Sequence, residues 1–233
     1  MSKFYCIGVG SGDPELLTIK AKNILENIDV ILMMRGSDDK KSIVCTIIED
    51  CLNSEAEKIF IDYPIQINHN VLMQMGENIA SIISENVENG KNVALAILGD
   101  PSVYSTYGYV LKNIPPGIPI ETVPGVTSFC AAAAITNRPL VETNEILSII
   151  PLEASSEKID SVLMESDAIV MMKLNDNEEK AVKFLEKYGL DSQGVLVQRC
   201  GFSDASVKEE VIDALKENKE RLSILLTRKD KKE

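Results

Sequence analysis

Short, nearly continuous apolar runs alternate along this chain with longer stretches in which apolar residues recur every three or four positions. Phe4 to Val9, Asp29 to Met34 and Asn92 to Ile97 are runs of the first kind and predict buried strands. Leu17, Ala21, Ile24, Leu25 and Ile28 keep helical spacing between the first two. Ile43, Val44, Ile47, Ile48 and Cys51 form the apolar face of a second helix. Leu72, Met75, Ile79, Ile82 and Ile83 form that of a third, predicted over about Asn70 to Val87 and stopped near Gly90. Lys58 to Ile61 reads as a short strand. The alternation predicts an α/β protein with mainly parallel sheets covered on both faces.

The stretch Ile114-Pro115-Pro116-Gly117-Ile118-Pro119 cannot be a regular element and reads as a domain linker. It divides the chain into an N-terminal α/β domain, residues 1–113, and a C-terminal α/β domain, residues 120–233. After it, Ile120 to Val123, Glu145 to Ile150, Ala168 to Met172, Val195 to Arg199 and Ser223 to Leu226 predict strands. Ala131 to Ala134 lie within a helix, and further helices are predicted at Ser156 to Glu165, Asn177 to Tyr188 and Ser206 to Lys219. The charged tail from Arg228 to Glu233 is expected to fray.

Several predicted strands end in turns rich in glycine or proline: residues 8 to 14, 62 to 65, 98 to 101 and 124 to 128. In open α/β sheets, ligands bind outside the carboxyl ends of the strands, where these turns lie. In Leu98-Gly99-Asp100-Pro101, Gly99 frees the backbone, and Asp100 and Pro101 suit the cap and first position of a helix from Tyr104 to Lys112. Tyr104, Tyr107, Tyr109, Ser105 and Thr106 are more polar groups than a plain core helix carries. In the first turn, Asp13 and Pro14 read as cap and first position of the next helix. Gly8-Val9-Gly10-Ser11-Gly12-Asp13 lacks the third glycine of the dinucleotide fingerprint, and no acidic residue ends the second strand.

Composition narrows the classes. The chain has 233 residues, 45% hydrophobic and 26% charged, the balance of a globular protein. No run approaches the roughly 18 apolar residues of a membrane span, and the N-terminus does not read as a signal peptide, so the expected location is cytoplasmic. The five cysteines are scattered and His69 is the only histidine, which disfavours a protein-bound metal and a catalytic Ser-His or Cys-His set. There is no Walker-type phosphate loop. A net charge of −12 disfavours nucleic acid and anionic membranes, but not an anionic small molecule met by local cations. Backbone-lined turns suit a reaction that needs mainly positioning, and methyl transfer from a sulfonium is one; these features permit it without selecting it.

Three motifs in order, Gly8-Val9-Gly10-Ser11-Gly12-Asp13-Pro14-Glu15-Leu16-Leu17-Thr18, Leu98-Gly99-Asp100-Pro101 with Tyr104, and Val123-Pro124-Gly125-Val126-Thr127-Ser128, resemble those of the tetrapyrrole (corrin/porphyrin) methyltransferases. The longer form, through Val110 and Ala134, is most similar to the branch that methylates carbon 20 of precorrin-2 or cobalt-factor II in cobalamin biosynthesis. Asp62-Tyr63-Pro64-Ile65 resembles that branch's Phe-Pro-Met element. The resemblance implies two α/β domains joined by one linker, S-adenosylmethionine as co-substrate in the cleft between them, and a homodimer. It implies donor contacts at Leu98, Gly99, Asp100, Val103, Thr127, Ser128, Met172 and the Cys200-Gly201 turn. Asp100 is the first catalytic candidate, as general base or charge stabiliser, with Tyr104 and Tyr107 behind it. The implied substrate is an anionic tetrapyrrole, and Arg35, Arg138, Lys173 and Arg199, placed near predicted strand-end turns, are the candidate cations for its carboxylates.

Two positions depart from the family pattern. Ser11 replaces a proline, and Met34 stands where uroporphyrinogen methyltransferases carry an acidic residue. The rival readings are methylation at another ring carbon, a diphthamide or ribosomal-RNA substrate, a non-catalytic protein that binds S-adenosylmethionine or tetrapyrrole, and a dinucleotide-dependent oxidoreductase.

Overall fold

The structure is a computed structural model that describes residues 2–36, 42–64 and 68–229. Ser37, Asp38 and Ile65 of the predicted turns, and residues 230–233 of the charged tail, lie outside them. The chain forms two compact units, residues 1–127 and 128–233.

In the first unit, β1 (Phe4–Gly8), β2 (Val30–Arg35), β3 (Glu57–Asp62), β4 (Val93–Ile97) and β5 (Ile120–Val123) form one sheet in the order β3-β2-β4-β1-β5. All its pairs are parallel. Parallel strands buried on both faces need apolar side chains throughout, and every residue of β4 is buried. The helices are α1 (Ile19–Leu25), α2 (Ile43–Ile48), α3 (His69–Glu88) and α4 (Tyr107–Leu111). Phe4, Leu32, Leu95, Ile79 and Ile83 belong to one buried cluster between sheet and α3.

Three expectations are corrected here. Residues 114–119 are not the boundary between units: β5 is registered on β1 from Phe4–Ile120 to Ile7–Val123, so the compact unit runs on to Thr127. Asp13 caps a single 3-10 turn, Pro14–Leu16, and α1 starts later, capped by the Thr18 hydroxyl, which accepts from the Ala21 N–H at 3.1 Å. The helix expected from Tyr104 begins at Tyr107, with Thr106 at its cap position. Tyr104 has φ +46°, a left-handed conformation that no helix residue adopts.

The second unit contains α5 (Ser128–Ile135), β6 (Leu147–Pro151), α6 (Ser156–Glu165), β7 (Ala168–Met172), α7 (Glu178–Tyr188), β8 (Val195–Gln198), β9 (Ser206–Lys208), α8 (Val211–Glu217) and β10 (Ser223–Arg228). Its sheet has the order β6-β7-β10-β8-β9 and is mixed: β6 and β7 are parallel, the other pairs antiparallel. Ile169, Met171, Leu185, Leu196 and Leu225 are among its buried core. The helix expected over 206–219 starts only at Val211, because Ser206–Lys208 pairs with β8 as an edge strand. Arg228 does not fray: it ends β10 and its guanidinium meets Glu145 at 2.6 Å.

Candidate functional site

The first unit's strand-end turns are built from main chain. β4 runs out at Ile97, and Gly99 turns the chain at φ +74°. Gly10 and Gly99 exchange two backbone hydrogen bonds, Gly10 N–H to Gly99 at 3.2 Å and Gly99 N–H to Gly10 at 2.6 Å. The turn after β5 lies against both. A Cβ on Gly125 would stand 2.1 Å from the Gly99 carbonyl oxygen, and one on Gly8 would stand 2.6 Å from the Gly125 nitrogen. Three turns separated widely in sequence thus pack backbone on backbone. A Cβ on Gly99, by contrast, would have nothing within 4 Å: the outer face of that turn is open.

Asp100 clamps this arrangement. Its Oδ2 accepts the Gly125 N–H at 2.9 Å, and its Oδ1 accepts the Ser102 N–H at 2.8 Å and the Ser102 hydroxyl. It does not cap α4, because the chain after it closes a separate turn, with Val103 N–H donating to the Asp100 carbonyl at 3.2 Å. Pro101 accordingly stands in that turn and not at the first position of a helix. Burial alone would raise the Asp100 carboxyl, but the hydrogen bonds from Ser102 and Gly125 outweigh it and hold the pKa below 3.8. A carboxylate with both oxygens engaged and a lowered pKa is a poor proton acceptor. Ser102, which sequence reasoning did not single out, is therefore part of the site; the spacing Asp-x-Ser after the glycine was the available signal.

Tyr107 is corrected from catalytic candidate to core residue. It is 8% exposed, its hydroxyl is 2.7 Å from the Thr122 hydroxyl on β5, and its ring lies 6.4 Å from that of Phe4. Burial pushes its phenol up. Tyr104 is different: it is 47% exposed and stands in the turn itself. Burial of part of its surface also raises its phenol.

Leu98 and Val103 are half-buried beside Gly99 and Asp100. Thr127 ends the third turn, and its hydroxyl is buried with no hydrogen-bond partner among the described residues, as is that of Ser11 in the first turn. Ser128 opens α5. In the second unit, Met172 ends β7 and Gly201 follows β8 at φ +88°.

The four cations fall in different settings. Arg35 ends β2 and its guanidinium meets Asp62 at the end of β3, Nη2 to Oδ1 at 2.7 Å. Lys173 directly follows β7 at φ +59° and, among the described residues, forms no ion pair. Arg199 directly follows β8 at φ +49°; it pairs with Asp204 at 2.7 Å and lies over the Phe202 ring at 4.8 Å. Arg138 is not at a strand end. It follows α5, donating its N–H to the Ala133 carbonyl, and pairs with Glu209 at 2.8 Å. Tyr104, Lys173 and Arg199 are all non-glycine residues in a left-handed conformation, a strained state that concentrates at functional turns.

A fold with glycine-packed turns at the ends of parallel strands, coupled to a mixed second sheet, matches proteins of known class. The model of the tetrapyrrole (corrin/porphyrin) methylases matches residues 3–216, and the chain belongs to that family. It is an S-adenosylmethionine-dependent methyltransferase. It is 34% identical over 211 residues to a probable cobalt-precorrin-2 C(20)-methyltransferase of Methanocaldococcus jannaschii, covering 89% of this chain and 86% of that one. It is 30% identical to the cobalt-precorrin-2 C(20)-methyltransferase of Salmonella typhimurium, covering 81% and 79%. The fold matches uroporphyrin-III C-methyltransferase from Thermus thermophilus, solved in complex with S-adenyl homocysteine, with a TM-score of 0.69 at 21% identity over 98% of each chain.

Proposed function

We propose that this enzyme methylates carbon 20 of precorrin-2, with the cobalt-bearing ring as its preferred form. The observation that carries this reading is the 34% identity, over nearly the whole of both chains, to a relative named for that reaction. Met34 supports it against uroporphyrinogen: β2 carries a half-buried thioether there, packed against the core, where an acidic side chain would be needed.

S-adenosylmethionine supplies an activated methyl group on a sulfonium. The open outer face of Gly99 and the Thr127 hydroxyl, which has no hydrogen-bond partner among the described residues, fit a polar ligand seated close to main chain. Leu98, Gly99, Asp100, Val103, Thr127 and Ser128 are the donor contacts of this reading, with Met172 and Gly201 carried over from the family pattern. Asp100 acts as a positioning residue, since its carboxylate is spent on Ser102 and Gly125. Tyr104 remains as the catalytic candidate. Its raised phenol stays protonated near neutral pH, the form that can donate a hydrogen bond to the ring. The chemistry asked of the chain is therefore orientation and exclusion of water. Lys173 comes first among the carboxylate-binding cations, because it alone of the four carries no ion pair among the described residues; Arg199 and Arg35 would have to exchange Asp204 and Asp62 for substrate. The reading extends to a cytoplasmic homodimer, supported by the family resemblance and the scattered cysteines.

The test is labelled S-adenosylmethionine supplied with precorrin-2 and with cobalt-factor II, separately and without oxygen, with mass and NMR analysis of the product. One methyl at carbon 20, transferred faster to the cobalt ring, is the expected result. Donor binding without methylation of either ring would overturn the substrate.

A further inference from the structure

The turn that carries Lys173 is strained at two positions and tied by one side chain. Between β7 and α7 the chain passes through Lys173 at φ +59° and Asp176 at φ +63°, both non-glycine residues in the left-handed region. Such conformations persist only where their surroundings over-determine them. Asn177 supplies that restraint. Its side-chain amide donates to the Lys173 carbonyl at 3.2 Å and to the Asn175 carbonyl at 3.1 Å, and its backbone N–H donates to the Leu174 carbonyl at 2.8 Å. Leu174 is buried and Lys173 is exposed, so the turn is plugged into the core beside a lysine left at the surface. Asn177 stands at the cap position of α7, where an asparagine side chain ordinarily accepts an N–H of the helix that follows. Among the described residues no such bond is made; the side chain is turned back onto the strand-end turn. The start of α7 gives it a fixed base. Lys180 donates to the Leu152 and Ala154 carbonyls, after β6, at 2.8 and 2.5 Å, and Glu178 accepts from the buried Asn218 at 3.3 Å. Leu152 N–H in turn donates to the Met172 carbonyl at 2.9 Å, directly before Lys173.

We propose that Asn177 is a positioning residue for ring binding: it forgoes its helix-cap bond to hold Lys173 in the left-handed conformation that aims the ammonium at a substrate carboxylate. This rests on the reading of Lys173 as a carboxylate-binding cation. A lysine head group rides on a flexible four-carbon stem, so a fixed backbone origin limits the positions it samples. The amide of Asn177 has the two N–H donors that two carbonyls require, whereas a carboxylate of the same shape has none and repels both oxygens. Aspartate is nonetheless as good a helix cap as asparagine, and its charge suits a helix N-terminus. Asn177→Asp therefore separates the hold on the turn from the support of α7.

The experiment compares N177D, K173A and the double variant, using labelled S-adenosylmethionine with cobalt-factor II, and reads thermal melting alongside. N177D is expected to raise the ring KM several-fold with kcat, donor affinity and melting temperature unchanged. It should add nothing to KM in the K173A background, because it acts through that lysine. A ring KM unaffected by K173A would take Lys173 out of the ring site and overturn the reading beneath the proposal. A ring KM raised by K173A but not by N177D would leave that reading standing and overturn the positioning role. A fall in kcat and melting temperature together, with KM unchanged, would mark Asn177 as structural only and overturn it too. The hold itself is read without substrate. K173G should raise the melting temperature of the wild type and raise that of N177D by clearly less, because an untied turn lets the lysine relax. An equal rise in both backgrounds would show that Asn177 does not impose the conformation, and would overturn the proposal whatever ring is methylated.

Discussion

The strand-end turns of the two units are held by opposite means. After β1, β4 and β5 the turns are fixed by main chain: Gly10 bonds Gly99, Gly8 lies on Gly125, and Asp100 receives the Gly125 N–H. After β7 and β8 the turns carry long cationic side chains in left-handed backbone, Lys173 and Arg199. Arg199 is steadied by Asp204 and Phe202. The difference teaches where side-chain identity matters. Backbone packed on backbone admits no other side chain but offers a ligand little chemical choice. A strained lysine or arginine costs stability and leaves its head group to be tuned for a substrate.

Substitutions that exchange these properties break or sharpen the contrast. The largest effect is expected at Gly125→Ala. Its Cβ would meet the Gly99 carbonyl oxygen and the Gly8 backbone, neither of which can move as a side chain does. A loss of about 3 kcal/mol or more is expected, read by chemical denaturation. A loss below about 1 kcal/mol would show that the turns separate easily. Next is Asp100→Asn, which turns an amide donor or a weaker acceptor towards Gly125 and Ser102. It should cost about 1–3 kcal/mol and lower methyl transfer in proportion to donor binding. A pH-rate profile that changes shape would instead make Asp100 a proton acceptor.

Lys173→Gly runs the other way. Glycine at φ +59° relieves left-handed strain, so the variant should gain about 1 kcal/mol while its KM for the ring rises several-fold. Unchanged KM would remove Lys173 from the substrate site. The smallest effect is at Glu121→Gln, a side-chain tie in the unit whose turns are tied by main chain. Lys20 and Lys3 hold the Glu121 carboxyl at about 2, below its ordinary 4.5, with Lys3 at 2.8 Å. A depressed carboxylate contributes stability that is complete above the unfolded pKa and lost as pH falls through the folded one. The wild type should therefore melt higher than the variant near pH 7, with the gap closing between pH 4.5 and 2. A gap independent of pH would mean that the ion pairs contribute nothing.

The first unit was legible almost entirely. Its strands are unbroken apolar runs and its turns are punctuated by glycine and proline, and both signals are local. What was misread there depended on distant partners. Tyr107 looked catalytic beside Asp100, but Thr122 and Phe4, contributed by other strands, make it core. Pro115 to Pro119 looked like a linker, but pairing of β5 with β1 carries the first unit past it. In the second unit, Ser206 to Lys208 has no strand signal of its own and becomes one because β8 offers an edge.

The amino-acid sequence determined the alternation of strand and helix, the glycine turns at strand ends and the family to which they belong, because each follows from residues close together along the chain. Tertiary structure alone decided which of those residues carry chemistry. Asp100 is a clamp because Gly125, twenty-five positions away, donates to it. Arg138 is held at Glu209 because the fold returns the chain to it. Hydrogen bonds and burial are settled by neighbours in space, and a side chain's charge, pKa and freedom to meet a substrate follow from those neighbours.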